Sequence, residues 1–139
     1  MNKEFTHEVR VSYRDTDQMG VVYYANYFAW FEVARTELLR AHGITYRTIE
    51  KERRLALPAV EVNCKYRAPA RYDDIVVIKT KITELKNTSL RFEYEVFNKE
   101  SNELLATASS THVFIDENRK PVRIPDDIRK VVEGKIKAA

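Results

Sequence analysis

The sequence predicts an α+β fold in which one long helix lies on one face of a curved sheet. Three observations predict it. A single alternating segment near the N-terminus runs into one amphipathic stretch of helical period, four long β-branched and aromatic runs follow, and short polar turns separate the last three of them. At 139 residues the chain has the length of one domain, residues 1–139, and 44% hydrophobic residues supply its core despite a charged content of 32%.

Residues 7–14 (HEVRVSYR) alternate, with Val9, Val11 and Tyr13 on one side, and predict the first strand. From Tyr27 the period changes. Tyr27, Trp30, Phe31, Ala34, Leu38 and Ala41 share one helical face, with Glu32, Arg35 and Arg40 interspersed. That helix runs about four to five turns, and Gly43 after His42 is its stop. So many large apolar residues on one helix need a broad partner surface. After roughly one or two helical turns around residues 45–52, strands are predicted over 58–68, 75–86, 89–99 and 103–116. Lys86-Asn87-Thr88 and Ser101-Asn102 fit hairpin connections, which makes the last three strands an antiparallel meander. The tail DDIRKVVEGKIK predicts a final, exposed helix.

Composition narrows the function. The 24 Lys and Arg nearly balance 21 Asp and Glu, and the net charge of +3 is scattered, which leaves no electrostatic footprint for nucleic acid. Cys64 is the lone cysteine, which excludes an internal disulfide and a cysteine-rich metal site. The alternation Val60, Val62, Cys64, Tyr66 places it on the apolar face of a strand as a small hydrophobe. The start MNKEFTHEVRV has no apolar signal core, and no run approaches the roughly 18 apolar residues of a spanning helix. A cytoplasmic protein without an integral membrane segment is expected. Asn87-Thr88-Ser89 reads as a tight polar turn rather than a glycosylation acceptor.

The chemistry concentrates in residues 13–27, YRDTDQMGVVYYANY. A calcium loop starting at Asp15 fails, because Met19 offers no hard oxygen and Asn26 stands where a bidentate Glu is required. No parallel α/β pattern supports a phosphatase, so neither a metal nor another cofactor is expected. Asp17 precedes the helix start near Tyr24 by too many residues to cap it, and Asn26 is the better cap. A turn at Met19-Gly20 can instead fold Asp17 back toward the first helical turn, where unpaired N–H groups and partial positive charge lie. Such amides polarise a carbonyl and hold the oxyanion formed on attack, while a neighbouring carboxylate attacks or deprotonates water. Gly20 allows the left-handed bend. No serine or cysteine nucleophile with a histidine base accompanies them. A thioester tolerates that lack, since its leaving thiolate has a conjugate acid of pKa roughly 8.5.

The stretch RVSYRDTDQMGVVYYANYFAWFEVARTE resembles the signature of the 4-hydroxybenzoyl-CoA thioesterase family of hotdog-fold proteins, and in particular its bacterial acyl-CoA thioesterase branch associated with the Tol-Pal operon. VEVNCKYRAPARYDD resembles the same branch, and the likeness covers about residues 7–116. The resemblance implies a long central helix wrapped by an antiparallel sheet of five or more strands. It also implies subunits that pair edge to edge, dimers that assemble into tetramers, and active sites at subunit interfaces. The implied activity is hydrolysis of an acyl-CoA. Asp17 matches the family's catalytic carboxylate, Tyr24 the position whose backbone N–H polarises the thioester carbonyl, and Gly20 and Val21 shape the loop. The Tol-Pal branch commonly has histidine where this chain has Tyr24, whereas the 4-hydroxybenzoyl-CoA enzyme is similar in having tyrosine; a backbone N–H survives the exchange.

For the coenzyme A phosphates the resemblance puts basic residues near strand turns and the interface, which singles out Arg67 and Lys86, with Arg71 beside Arg67. Glu32 and Glu37 belong to the polar face of the helix, and Asp15 orients the loop. His7, His42 and His112 receive no catalytic role, and Tyr23, Tyr27 and Trp30 are core or acyl-pocket wall. Direct attack by Asp17 and activation of water both stay open. So do an acyl-carrier-protein substrate and a non-catalytic acyl-CoA-binding role.

Overall fold

The computed structural model describes residues 4–137. In chain order they form β1 (Phe5–Arg10), a 3-10 turn (Tyr13–Asp15), α1 (Asn26–Ala41), α2 (Tyr46–Lys51), β2 (Ala59–Tyr66), β3 (Ile75–Leu85), β4 (Ser89–Asn98), β5 (Leu104–Val113) and α3 (Asp126–Lys137). No helix among the described residues is long and apolar enough to cross a membrane.

The five strands make one antiparallel sheet in the order β1-β3-β4-β5-β2. The expected curved sheet that wraps the helix is corrected here: the sheet is open. Wrapping would bring its two edges together, but β1 pairs only with β3 and β2 only with β5, with the whole meander between them. The breadth of surface that α1 needs comes instead from the face of the central strands. Val76, Ile78 and Ile82 of β3, Leu90, Phe92, Tyr94 and Val96 of β4, and Ala106 and Ala108 of β5 are buried there at alternate positions.

Against them α1 buries Tyr27, Trp30, Phe31, Ala34 and Leu38, as its periodicity marked, and also Leu39, which it did not mark, whereas Ala41 is exposed. Phe31 stacks on Tyr94 at 4.5 Å between ring centroids. Each large apolar side chain buried this way contributes roughly 1.5–3 kcal/mol, which sets the position of the helix on the sheet.

Two elements differ from their sequence-based expectation. The first strand ends at Arg10 rather than residue 14, because the Asp15 carboxylate accepts from the Ser12 N–H and hydroxyl, both at 3.0 Å, and turns the chain into the 3-10 turn. Tyr13 is therefore 73% exposed rather than on the inner face. The final helix is docked rather than exposed. Ile128 and Val132 of α3 are buried, Asp127 forms an ion pair with Arg53, and Arg129 donates to the Asn87 carbonyl at 3.2 Å.

A buried polar chain lies beneath α1. His112 is fully buried, with Nδ1 3.2 Å from the Leu57 carbonyl and Nε2 2.9 Å from the Ser110 hydroxyl. A carbonyl only accepts, so Nδ1 carries the proton and Nε2 accepts from Ser110. The Tyr94 hydroxyl in turn lies 2.6 Å from Ser110 Oγ. Burial, followed by the nearby Arg35 charge, pushes His112 down from 6.5 to about 4. Between those values the unfolded chain binds a proton that the folded chain refuses, so stability is present above about 6.5 and is lost as pH falls toward about 4. The predicted contribution of His112 to that loss is about 3 kcal/mol. Urea unfolding across this window measures it, and His112→Gln flattens the slope relative to wild type.

Candidate active site

The loop after the 3-10 turn folds back on itself. Thr16 and Val22 form an antiparallel bridge, the Asp17 N–H donates to Val21 O at 2.9 Å, and the Gly20 N–H donates to Asp17 O at 3.0 Å. Gly20 has φ +78°, and a Cβ built there would meet nothing within 4 Å. The bend therefore requires glycine for its left-handed backbone, not for space. The return arm is tied to the segment before β3, with Val21 bridged to Arg71 and the Val22 N–H donating to Ala70 O at 2.8 Å.

The two aspartates take different work. Asp15 is occupied by the turn: its carboxylate holds Ser12, and its carbonyl accepts from the Tyr23 N–H at 2.9 Å and from Asn26 Nδ2 at 2.8 Å. Asp17 is half-buried, and its Oδ1 accepts from the Met19 N–H at 2.8 Å. Among the described residues no cation lies within ion-pair distance of it.

The helix start lies at the end of the same loop. Ala25, not Asn26, is the N-cap, and no side chain caps α1; Asn26 is the first helical residue, and its amide is committed to Asp15. Within this turn the Asn26 N–H donates to Tyr23 O at 2.9 Å, and the Phe28 N–H to Ala25 O at 3.2 Å. The N–H groups of Tyr24 and Ala25 donate to no other group among the described residues. Two adjacent amides thus remain unspent at the positive end of a sixteen-residue helix.

Tyr66 of β2 reaches this turn. Its hydroxyl donates to Tyr24 O at 2.8 Å, and its ring lies edge-on to Tyr27 at 5.0 Å and to Tyr24 at 6.1 Å. Alternation marked Tyr66 only as part of an apolar strand face; nothing in the period signals a hydroxyl aimed at a carbonyl far away in sequence. Tyr27 and Trp30 are core, whereas Tyr23 is 44% exposed.

Asp17, Gly20, Val21 and Tyr24 therefore come together in one loop, and Arg67, next to Tyr66, stands exposed at the same end of the sheet. Lys86 does not join them. It follows the far end of β3, whose eleven residues span roughly 33 Å from the Ile75 end beside the loop. The apolar face expected on β2 is likewise uncovered in one chain, with Val60 61%, Val62 50% and Tyr66 42% exposed; Cys64 alone of the four is half-buried, and burial pushes its thiol up.

Residues 11–132 match the thioesterase-like superfamily. The chain is 42% identical over 125 residues to the acyl-CoA thioester hydrolase YbgC of Escherichia coli O6:H1, a match that covers 89% of this chain and 92% of that protein. It is 38% identical over 117 residues to the putative acyl-CoA thioesterase YneP of Bacillus subtilis, covering 84% and 83%. Among solved structures, Slr0204, a 1,4-dihydroxy-2-naphthoyl-CoA thioesterase from Synechocystis, superposes with a TM-score of 0.88 at 29% identity over 94% of this chain and 96% of that one. With its five-stranded antiparallel sheet and long helix, this chain belongs to the hotdog-fold acyl-CoA thioesterases of the thioesterase-like superfamily.

Proposed function

We propose that this thioester hydrolase cleaves an acyl-CoA with Asp17 as nucleophile or general base and the Tyr24 N–H as oxyanion donor. One observation carries the assignment: a single loop holds a half-buried carboxylate and leads into a helix start just ahead of which two adjacent amides, those of Tyr24 and Ala25, are unspent. The thioester oxygen accepts from the Tyr24 N–H, which strengthens as charge develops on that oxygen. In one course an Asp17 oxygen bonds to the carbonyl carbon, the carbon–sulfur bond breaks, and water then hydrolyses the mixed anhydride. In the other, Asp17 takes a proton from the attacking water. Both release a carboxylic acid and coenzyme A as a thiol. Gly20 and Val21 shape the loop against which the thioester lies.

The remaining parts of the substrate site need a second copy. The β2 edge carries exposed Val60, Val62 and Tyr66 and an unpaired row of backbone groups, and a second copy covers it in this reading. Antiparallel pairing of the two β2 edges brings the far end of the second sheet, where Lys86 lies, to the Asp17 end of the first. Arg67 of one chain and Lys86 of the other then meet the phosphates of coenzyme A. Dimers of this kind, or tetramers built from them, are the proposed working form. The 139 residues act as one domain, in the cytoplasm, where a free thiol such as Cys64 persists.

Asp17→Asn lowers kcat by about 10²–10⁴-fold, with KM kept within a few-fold. Thiol release from a panel of short-chain, long-chain and aromatic acyl-CoAs measures this, and full turnover by the variant refutes the role of Asp17. Arg67→Ala and Lys86→Ala raise KM by roughly five-fold each, as expected for one charge-assisted phosphate contact. Sedimentation of wild type gives a dimer or tetramer, whereas Val62→Lys on the β2 edge shifts it toward an inactive monomer; a fully active wild-type monomer overturns the shared site.

A further inference from the structure

We propose that Tyr66 is a positioning residue that fixes the peptide group of the Ala25 N–H relative to the oxyanion amide of Tyr24. The inference rests on the reading of the Tyr24 N–H given above and extends it to a residue from another element. Tyr24 lies between two peptide planes. The plane that carries its N–H is held through the Tyr23 carbonyl, which accepts from the Asn26 N–H at 2.9 Å, and through the neighbouring Tyr23 N–H on Asp15 O at 2.9 Å. The plane that carries its carbonyl is held by two donors, the Tyr66 hydroxyl at 2.8 Å and the Tyr27 N–H at 3.3 Å. The Tyr27 contact is the longer of the two, so Tyr66 is the firmer hold on that plane.

A trans peptide sets its N–H opposite its carbonyl. By holding the Tyr24 carbonyl, Tyr66 therefore also aims the Ala25 N–H, the second unspent amide of the turn, away from β2. With both planes fixed, the dihedrals of Tyr24 are fixed too, and the two amides keep one relative direction. A hydrogen bond to the carbonyl further polarises the same peptide group, which makes its N–H a better donor. No helical cap does this work, since Ala25 has no side chain able to bond the turn and Asn26 is spent on Asp15.

Tyr66 is built for the task. Its ring is fixed edge-on against buried Tyr27, and its phenol is pushed above the ordinary range, first by burial and then by neighbouring Cys64, so it stays a donor throughout the pH range of an assay. The ordinary alternative is a tyrosine that merely adds stability to the β2 edge. The two roles separate in kinetics, because a positioning role acts on the transition state and a stabilising one on the folded population.

The test uses full-length wild type, Tyr66→Phe, Tyr66→Trp and Asp17→Asn, with kcat, KM and Tm measured on each. Tyr66→Phe removes one oxygen and lowers kcat about ten-fold, with KM within about two-fold and Tm within about 4 °C. Tyr66→Trp, which returns a ring N–H donor, recovers part of the lost kcat. Wild-type kcat in Tyr66→Phe, parallel loss of kcat and Tm, failure of that variant to fold, or a Trp variant no better than Phe each overturns the positioning role. If Asp17→Asn stays active, the underlying site reading fails instead, and the two failures are told apart in the same experiment.

Discussion

The seating of α1 on the inner sheet face is the constraint from which the rest of the molecule follows. Tyr27, Trp30, Phe31, Ala34, Leu38 and Leu39 meet the alternate residues of β3, β4 and β5, and Phe31 stacks on Tyr94 within that contact. Dispersion and the loss of apolar surface to water make the contact large but not directional. Direction comes from the ends. At one end of α1 the chain must arrive from β1 through the loop at 11–25, and the buried face decides where the first turn of the helix can lie. A sheet that is covered this way has no need to close, and it leaves β2 as an edge.

The arriving loop divides polar work between two aspartates that differ by two positions in sequence. Asp15 points its carboxylate back to Ser12 and offers its carbonyl forward to Tyr23 and Asn26, so it joins the end of β1 to the helix start. That leaves Asp17 one local acceptor bond, to Met19, and no cation partner among the described residues. A carboxylate with so few commitments, in one loop with amides that have none, is costly for a loop whose only task is to connect. It is what acyl transfer requires, since the donors must be free for a ligand and fixed in advance. Tyr66 bonds the Tyr24 carbonyl from a third element, so β2, the edge strand of the sheet, also touches the turn at the start of α1.

How much of this was legible depends on the range of the interaction. The helix face and the meander were readable because period and turn chemistry are local: Tyr27 to Leu38 fall at helical spacing, and strands β3 to β5 begin and end within a few residues of the polar turns. The end of β1 was not, because the Asp15 carboxylate captures Ser12 in a bond that alternation cannot register. Docking of α3 depends on Arg53, Asp127, Ile128 and Val132 meeting across the fold. The open sheet was misjudged for a related reason: the length of α1 indicated how much surface it needs, but not that the central strands suffice. At the site, Asp17, Gly20, Val21 and Tyr24 were legible as one motif, while the separation of Lys86 from them follows only from strand direction. Asn26 was misassigned as a cap because its carbonyl partner, Asp15, lies on the other side of the bend.

In the proposed reaction one loop presents a carboxylate and a helix-terminal amide to the same thioester carbonyl. A crystal structure with a non-hydrolysable acyl-CoA analogue tests it most directly. The expected complex has the carbonyl oxygen about 2.7–3.1 Å from the Tyr24 nitrogen, and an Asp17 oxygen, or one water bound to it, about 3–3.5 Å from the carbonyl carbon. A carbonyl bound away from the start of α1, or seated there with Asp17 turned out of reach, contradicts it.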